Sequence, residues 1–368
     1  MASSHDLTSG FLAPPSVEQP VAAGWSWQDA AVDPLSDVLR MVKLSGALFF
    51  IVEASSPWGV EIPSAEAFRR TILPRAQHIV SYHIVLEGSG WAGIPNGPAA
   101  TFGAGDILVF PHGDAYSMLS EAGQSPEYDI AATLAFLREM AAGRLPFVVE
   151  EGGGGPDGAR FVCGYLGCDV RPFNPVLATL PPLLQIKRAA TRPDDPLAPL
   201  IELTLAQTGE QRAGGEAIRL RLSELIFVEV VRRHLETLSS GQTGWLPGLR
   251  DPAIGRVLTM LHDRPAHPWS LGELAQRAGM SRAVLAERFA RLVGCPPMHY
   301  LTLWRMQVAA RLIADRAMKI AAVADAVGYG SEAAFSRAFK KATGTTPAAW
   351  REHHAGRAAI GERTTPTA

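Results

Sequence analysis

Cysteine is scarce in this chain, with three in 368 residues. An odd, small number in a long chain excludes a disulfide-framed fold and points to a reducing compartment, the cytoplasm. Long hydrophobic runs are missing too: no stretch of eighteen apolar residues occurs, so nothing reads as a membrane span. No Lys or Arg precedes Arg40, which removes the cationic start of a secretory signal. Gly152 to Gly155 lacks the Lys-Ser/Thr pair and following helix of a phosphate-binding loop, so it reads as a surface turn.

Charge is present but unevenly placed. From Arg250 to the end there are 17 Lys and Arg against 9 Asp and Glu, a net of +8; the 249 residues before it hold 17 against 27, a net of −10. A basic C-terminal module behind an acidic one suits nucleic acid at one end only. The length allows two or three domains.

The strongest pattern lies between Trp269 and Trp350, where one motif occurs twice. Ser270 and Glu273 form an S-x-x-E capping box. Leu271, Leu274, Ala275 and Ala278 then follow at helical spacing, Gly279 ends that helix, and Ser281 caps a second whose inner side is Leu285, Phe289 and Leu292. The second copy has Ile320, Val323, Ala324 and Val327, the turn Gly328-Tyr329-Gly330, a cap at Ser331, and Phe335, Phe339 and Ala342 facing inward. Leu285 and Phe335, Phe289 and Phe339, Gly294 and Gly344, and Pro297 and Pro347 are each fifty positions apart. Two short helices joined by a glycine turn are a helix-turn-helix, whose second helix enters the DNA major groove. Between the copies, Met298 to Ala314 reads as one helix with Leu301, Trp304, Val308 and Leu312 inward. It spans roughly 25 Å, which suits recognition helices in successive major grooves about 34 Å apart.

This tandem unit resembles the DNA-binding domain of the AraC/XylS family of bacterial transcription regulators. The likeness rests on the first helix-turn-helix, the linking helix Tyr300-Leu301-Thr302-Leu303-Trp304-Arg305-Met306, and the run Ile320 to Tyr329 followed by Phe335-Ser336-Arg337-Ala338-Phe339-Lys340-Lys341. It implies that Arg282, Ala283, Ala286 and Glu287 in the first recognition helix, and Glu332, Ala333, Ser336 and Arg337 in the second, face base edges. Arg337 matches the family's usual arginine and can take guanine O6 and N7 bidentately. Glu287 departs from the arginine many relatives carry, and a carboxylate can accept only from cytosine N4. Arg288, Arg291, Arg305, Lys340 and Lys341 suit phosphates, which position without specifying.

Residues 1–32 read as a flexible leader and 356–368 as a flexible tail. From Asp33, a short helix (Pro34 to Val42) precedes apolar runs punctuated by Gly and Pro: Ala47 to Val52, Gln77 to Leu86, Gly90 to Ile94, Asp106 to Phe110, Phe147 to Val149 and Phe161 to Leu166. Such strands suggest a β-barrel or double sheet. Gly105, Pro111-His112-Gly113 and Tyr116 resemble the second cupin motif, with Tyr116 in place of a histidine. His83 and Glu87 fit part of the first, where Ser81 replaces another. A metal cupin needs about four converging N or O ligands; with two replaced, the expectation is a metal-free, cofactor-free pocket around His83, Glu87, His112 and Tyr116. The segment 33–190 thus resembles the cupin-like sensor domain of a subset of these regulators.

Cys163 and Cys168 are a redox candidate pair, yet five residues apart on one strand they point to opposite faces. Two helices follow, near Ala198 to Arg212 and Gly215 to Leu238, within a dimerisation segment (198–239). Ile218, Leu222, Leu225, Ile226 and Val230 make one apolar face, and Phe227, Val228 and Val231 add another. Residues 240–250, with three glycines, read as an interdomain linker before the reader domain (251–355).

The expectation is therefore a multidomain α+β chain: a cupin-like β-barrel, a helical dimerisation segment and an all-α tandem helix-turn-helix domain. It implies a cytoplasmic, nucleoid-associated bacterial regulator, not an enzyme, that binds promoter DNA as a homodimer. RNA polymerase is a further partner if the regulator activates, and the effector is a small molecule or an oxidant. Two other readings stay open: a metal-dependent cupin enzyme tethered to DNA, and a cysteine-based redox regulator.

Overall fold

The computed structural model describes residues 33–41, 44–169, 172–187, 195–206, 213–239, 241–314 and 318–353. The expected leader and tail lie outside them. The N-terminal half runs α1 (Pro34–Met41), β1 (Leu44–Ser55), β2 (Gly59–Ile62), α2 (Ala65–Ile72), β3 (His78–Glu87), β4 (Ser89–Gly93), β5 (Ala99–Gly103), β6 (Ile107–Phe110), β7 (Tyr116–Leu119), α3 (Ile130–Ala141), β8 (Val148–Gly152), β9 (Gly158–Cys168), α4 (Pro175–Thr179) and β10 (Leu184–Ile186). The strands form two sheets, six in the order β10-β6-β3-β9-β1-β8 and four in the order β2-β7-β4-β5. No ladder among the described strands joins them, so the domain is an open double sheet and not a closed barrel.

Side-chain alternation divides the six-stranded sheet between two cores. Phe50, Val52 and Ala54 of β1, Val85 of β3, Leu108 and Phe110 of β6, and Phe161, Cys163 and Tyr165 of β9 face the smaller sheet. Phe49, Ile51, Tyr82, Ile84, Val109 and Val162 face the other way. On that outer face Tyr82 lies across Gly164, its antiparallel partner, where a Cβ would sit 2.1 Å from the ring. The Tyr82 hydroxyl then meets Ser223 Oγ at 3.0 Å.

Ser223 belongs to α6 (Gly215–Thr237), which follows α5 (Leu197–Ala206). Leu222, Ile226, Phe227, Val230 and Val231 of α6 are buried, whereas Ile218 and Leu225, expected on the inward face, are 46% and 50% exposed. The buried stripe is a double row at four-residue spacing, 222/226/230 beside 223/227/231, and it leaves positions 218 and 225 outside.

The C-terminal half is all helical: α7 (Trp245–Arg250), α8 (Pro252–Asp263), α9 (Leu271–Ala278), α10 (Arg282–Val293), α11 (Pro297–Ala314), α12 (Ile320–Ala326) and α13 (Glu332–Thr343). Helix α7 corrects the linker expectation for 240–250. Trp245, Leu246 and Leu249 are at most 1% exposed, because the apolar WLPGL run is core material that the flanking glycines obscured. These side chains, the first helix-turn-helix, α1, α6 and the outer face of the large sheet share one continuous core. The second helix-turn-helix has a separate core of Ile313, Val323, Val327, Phe335, Phe339 and Trp350, among others. Helix α11 contributes Tyr300, Leu301 and Trp304 to the first core and Met306, Ala309 and Ile313 to the second.

A buried polar node lies where the halves meet. Trp245 Nε1 donates to the Tyr300 hydroxyl (2.8 Å), which lies 2.8 Å from His262 Nε2. His262 stacks on Trp304 with ring centroids 3.9 Å apart, and its Nδ1 lies 3.5 Å from Asp37 Oδ2 of α1, an electrostatic contact too long for a hydrogen bond. A proton on Nδ1 fits this network, with the Tyr300 hydroxyl donating to Nε2. The Phe173 N–H, from the N-terminal half, donates to Gln307 Oε1 of α11 at 2.9 Å. Tyr300→Phe would leave the buried Trp245 N–H and His262 Nε2 unpaired and should cost about 1–3 kcal/mol. Urea unfolding measures it, and an unchanged midpoint would mean that the node holds nothing together.

Candidate nucleic-acid interface and sensor cavity

Each recognition helix begins at a serine whose Oγ accepts the third backbone N–H. Ser281 takes Val284 N at 3.3 Å and Ser331 takes Ala334 N at 3.2 Å. Each ends at a glycine in the left-handed region, Gly294 (φ 85°) and Gly344 (φ 80°). With Leu285 and Phe289 buried, α10 exposes Arg282, Ala283 and Glu287, with Ala286 half-buried beside them; α13 exposes Glu332, Ala333 and Arg337, with Ser336 half-buried. Val284, 49% exposed on the first turn of α10, went unnoticed in the sequence. Its signal was a branched apolar residue just before a buried leucine, and its methyl groups suit a thymine methyl.

The cations divide. Arg291, Lys340 and Lys341 are exposed, as phosphate contacts require. Arg288 instead pairs with Asp251, the N-cap of α8, its Nε 3.0 Å from Oδ2. Arg305 donates to the carbonyls of Pro265 (2.7 Å) and His267 (2.9 Å) and lies over the Tyr329 ring at 5.9 Å. Both guanidiniums are committed to the fold, a correction to their expected place on phosphates. The capping box of α9 is half-formed: Ser270 Oγ accepts from Glu273 N (3.1 Å), but the Glu273 carboxylate turns to His267 and Arg277.

In the N-terminal half, the structure brings together His83 and Tyr116 but not Glu87 or His112. His83 sits opposite Cys163 in the β3–β9 ladder, so its Nδ1 meets Cys163 Sγ at 3.2 Å. Its Nε2 reaches across to the Tyr116 hydroxyl of the other sheet at 2.7 Å. Glu87, past an irregularity in the β3 register, lies on the surface beside Arg160. His112 Nε2 meets the Leu180 carbonyl at 2.8 Å, and His78, a further possible ligand, meets that of Pro111 at 2.6 Å. Among the described residues no three His, Cys, Asp or Glu side chains are grouped to hold a metal ion. The cupin metal position therefore does not fit a metal, since its one histidine has both ring nitrogens engaged.

Beside His83 is a cavity between the sheets, roofed by α3. It encloses about 60 Å³ and opens to solvent; Phe50, Trp58, Phe136, Phe161, Glu151 and Thr133 line it. Burial holds His83 neutral, its pKa lowered to about 3, and pushes the Cys163 thiol far up and the Cys168 thiol up to about 12. Cys163 and Cys168 lie in different cores, as their odd spacing requires. Both are thiols with almost no thiolate at neutral pH.

Comparisons with known proteins bear on both halves. Residues 33–236 match a family described as cupin, and residues 274–353 one described as a helix-turn-helix domain. A protein named as an AraC-like transcription regulator in Streptomyces antibioticus is 28% identical over 326 residues, 88% of this chain and 99% of the relative. The HTH-type transcriptional regulator AlkR of Acinetobacter baylyi is 28% identical over 323 residues, 87% of this chain and 99% of the relative. Among solved structures, the DNA-binding domain of AdpA in complex with a target DNA is 30% identical, covering 29% of this chain and 96% of that one, with a TM-score of 0.28.

If the thiols are as inert as their burial requires, native protein treated briefly with iodoacetamide at neutral pH should be modified at the half-buried Cys295 before Cys163 or Cys168. Peptide mass spectrometry reads the order, and early alkylation of Cys163 would restore the redox reading.

Proposed function

Because this chain is an AraC-type transcription regulator whose N-terminal half belongs to the cupin family, we propose that α10 and α13 read adjacent major grooves of promoter DNA under control of the cavity beside His83. The observation that carries this reading is the pair of serine-capped helices with open outer faces, held apart by α11, which is buried in both cores. Base reading falls to Ala283, Val284, Ala286 and Glu287 on α10 and to Glu332, Ala333, Ser336 and Arg337 on α13. Arg282, exposed at the start of α10, joins the base-reading set, and Arg291, Lys340 and Lys341 take phosphates. The chain acts as a binder and not as an enzyme, since the His83 nitrogens are spent on Cys163 and Tyr116. Leu203, Ile218 and Leu225, exposed on α5 and α6, support a homodimer.

The cavity is smaller than the roughly 300–1,000 Å³ of a usual ligand site. An effector is therefore compact, or its entry displaces α3. Displacement would be felt through β3 and β9, whose opposite faces carry Tyr82 against Ser223 and the core shared with the first reader. The effector shifts the balance between two arrangements of that core only by its unequal affinity for them.

Arg337→Ala should weaken binding to the cognate site by about 1–3 kcal/mol and erase discrimination at one base pair. Lys340→Ala should weaken every sequence alike and flatten the salt dependence. Fluorescence anisotropy on fragments retained from sheared genomic DNA separates them. Uniform loss in both variants would take base reading away from Arg337.

A further inference from the structure

The cavity has a chemical signature beyond its position, set by one carboxylate. Glu151 pairs with Ala54 across the β1–β8 ladder. It shares a strand face with Val149, which packs on the inner core, so its side chain enters the space between the sheets. Its charge acts on Tyr128, Cys163 and Tyr165, which locates the carboxyl group among them. Glu151 is half-buried, no hydrogen bond or ion pair from the described residues meets its carboxylate, and no Lys or Arg lines the cavity.

Two further features surround it. Thr133 of α3 is 4% exposed, and its Oγ1 has no hydrogen-bond partner although it borders the cavity. A buried hydroxyl left unpaired costs free energy that a ligand bearing a polar group would recover. The rest of the wall is apolar, part aliphatic (Val52, Ile62, Met118, Leu137) and part aromatic: Trp58 meets Phe161 edge-on at 5.2 Å, and Phe50 meets Phe136 edge-on at 5.2 Å and Tyr165 at 6.5 Å. Ring faces and a carboxylate both attract positive charge, and partial desolvation strengthens both attractions.

We propose that the effector is an organic cation, a quaternary or protonated amine with an apolar body, whose charge sits between Glu151 and the aromatic wall. This rests on the reading of the cavity as the effector site. An anion would face Glu151 with no cation to offset it. A neutral hydrocarbon would fill the aromatic wall but leave the carboxylate and Thr133 Oγ1 without partners. Burial, and second the nearby Glu127, raise the Glu151 pKa to about 7. Of the other titratable groups facing it, Tyr128, Cys163 and Tyr165 are shifted upward and His83 downward, so all are neutral near pH 7. Cation affinity then falls as the pH drops through about 7, when Glu151 takes up a proton.

The test uses the full chain and two probes of the same shape, phenyltrimethylammonium and uncharged tert-butylbenzene, titrated against tryptophan fluorescence at pH 6 and pH 8. The cation should bind at least about tenfold more tightly than its isostere at pH 8, with a smaller margin at pH 6. Glu151→Gln, a near-isosteric change, should remove the margin and its pH dependence while leaving tert-butylbenzene affinity unchanged. Equal affinity for the two probes would overturn the cation assignment and leave the cavity as an effector site. Binding of neither would overturn both readings.

Discussion

The constraint on which the rest of this molecule depends is that the central strands β3, β6 and β9 of its six-stranded sheet are buried on both faces. Alternation forces neighbouring residues of one strand to serve opposite purposes. His83 and Cys163 point to the cavity, while Tyr82 and Val162, one position away, belong to the core that α6 and the first helix-turn-helix share, with Tyr82 meeting Ser223 of α6. A shift of β3 or β9 by one residue would exchange these roles wholesale, so the register is fixed from both sides at once. The cavity and the core of the first helix-turn-helix thus share β3 and β9, with no element between them.

The reader was legible in the sequence because its signals are local. Serine caps, left-handed glycines and the 3.6-residue stripe all lie within single helices, and the repeat confirms each signal in the other copy. The six apolar runs of the sensor were also legible, but β2, β5, β7 and β10, of three to five residues, were not. Their side chains make sense only against partners distant in sequence, as when Val60 of β2 meets Met118 of β7.

The candidate sites show the same division. The exposed face of α10 followed from helical geometry, yet the fates of Arg288 and Arg305 depended on Asp251 and two carbonyls that no periodicity reveals. In the sensor, the cupin motifs led to His83 and Tyr116, which do meet. They also led to Glu87, which an irregular register carries to the surface. Glu151 was invisible in an acidic, glycine-rich stretch with no motif around it. Its importance comes from what surrounds it in space.

The anchoring of α11 in two cores has a consequence for the operator. Such a helix is a fixed ruler, so the two half-sites it addresses must keep one spacing. Inserting a single base pair between them would rotate the second by roughly 35° around the duplex axis, given 10–10.5 base pairs per turn. Since the first reader is fused to the sensor and the second stands on its own core, the strain of a mis-spaced operator would fall on the second. On the proposed reading by both helices, an operator for this chain would divide into a proximal half that sets where the protein sits and a distal half that decides whether the phase is right.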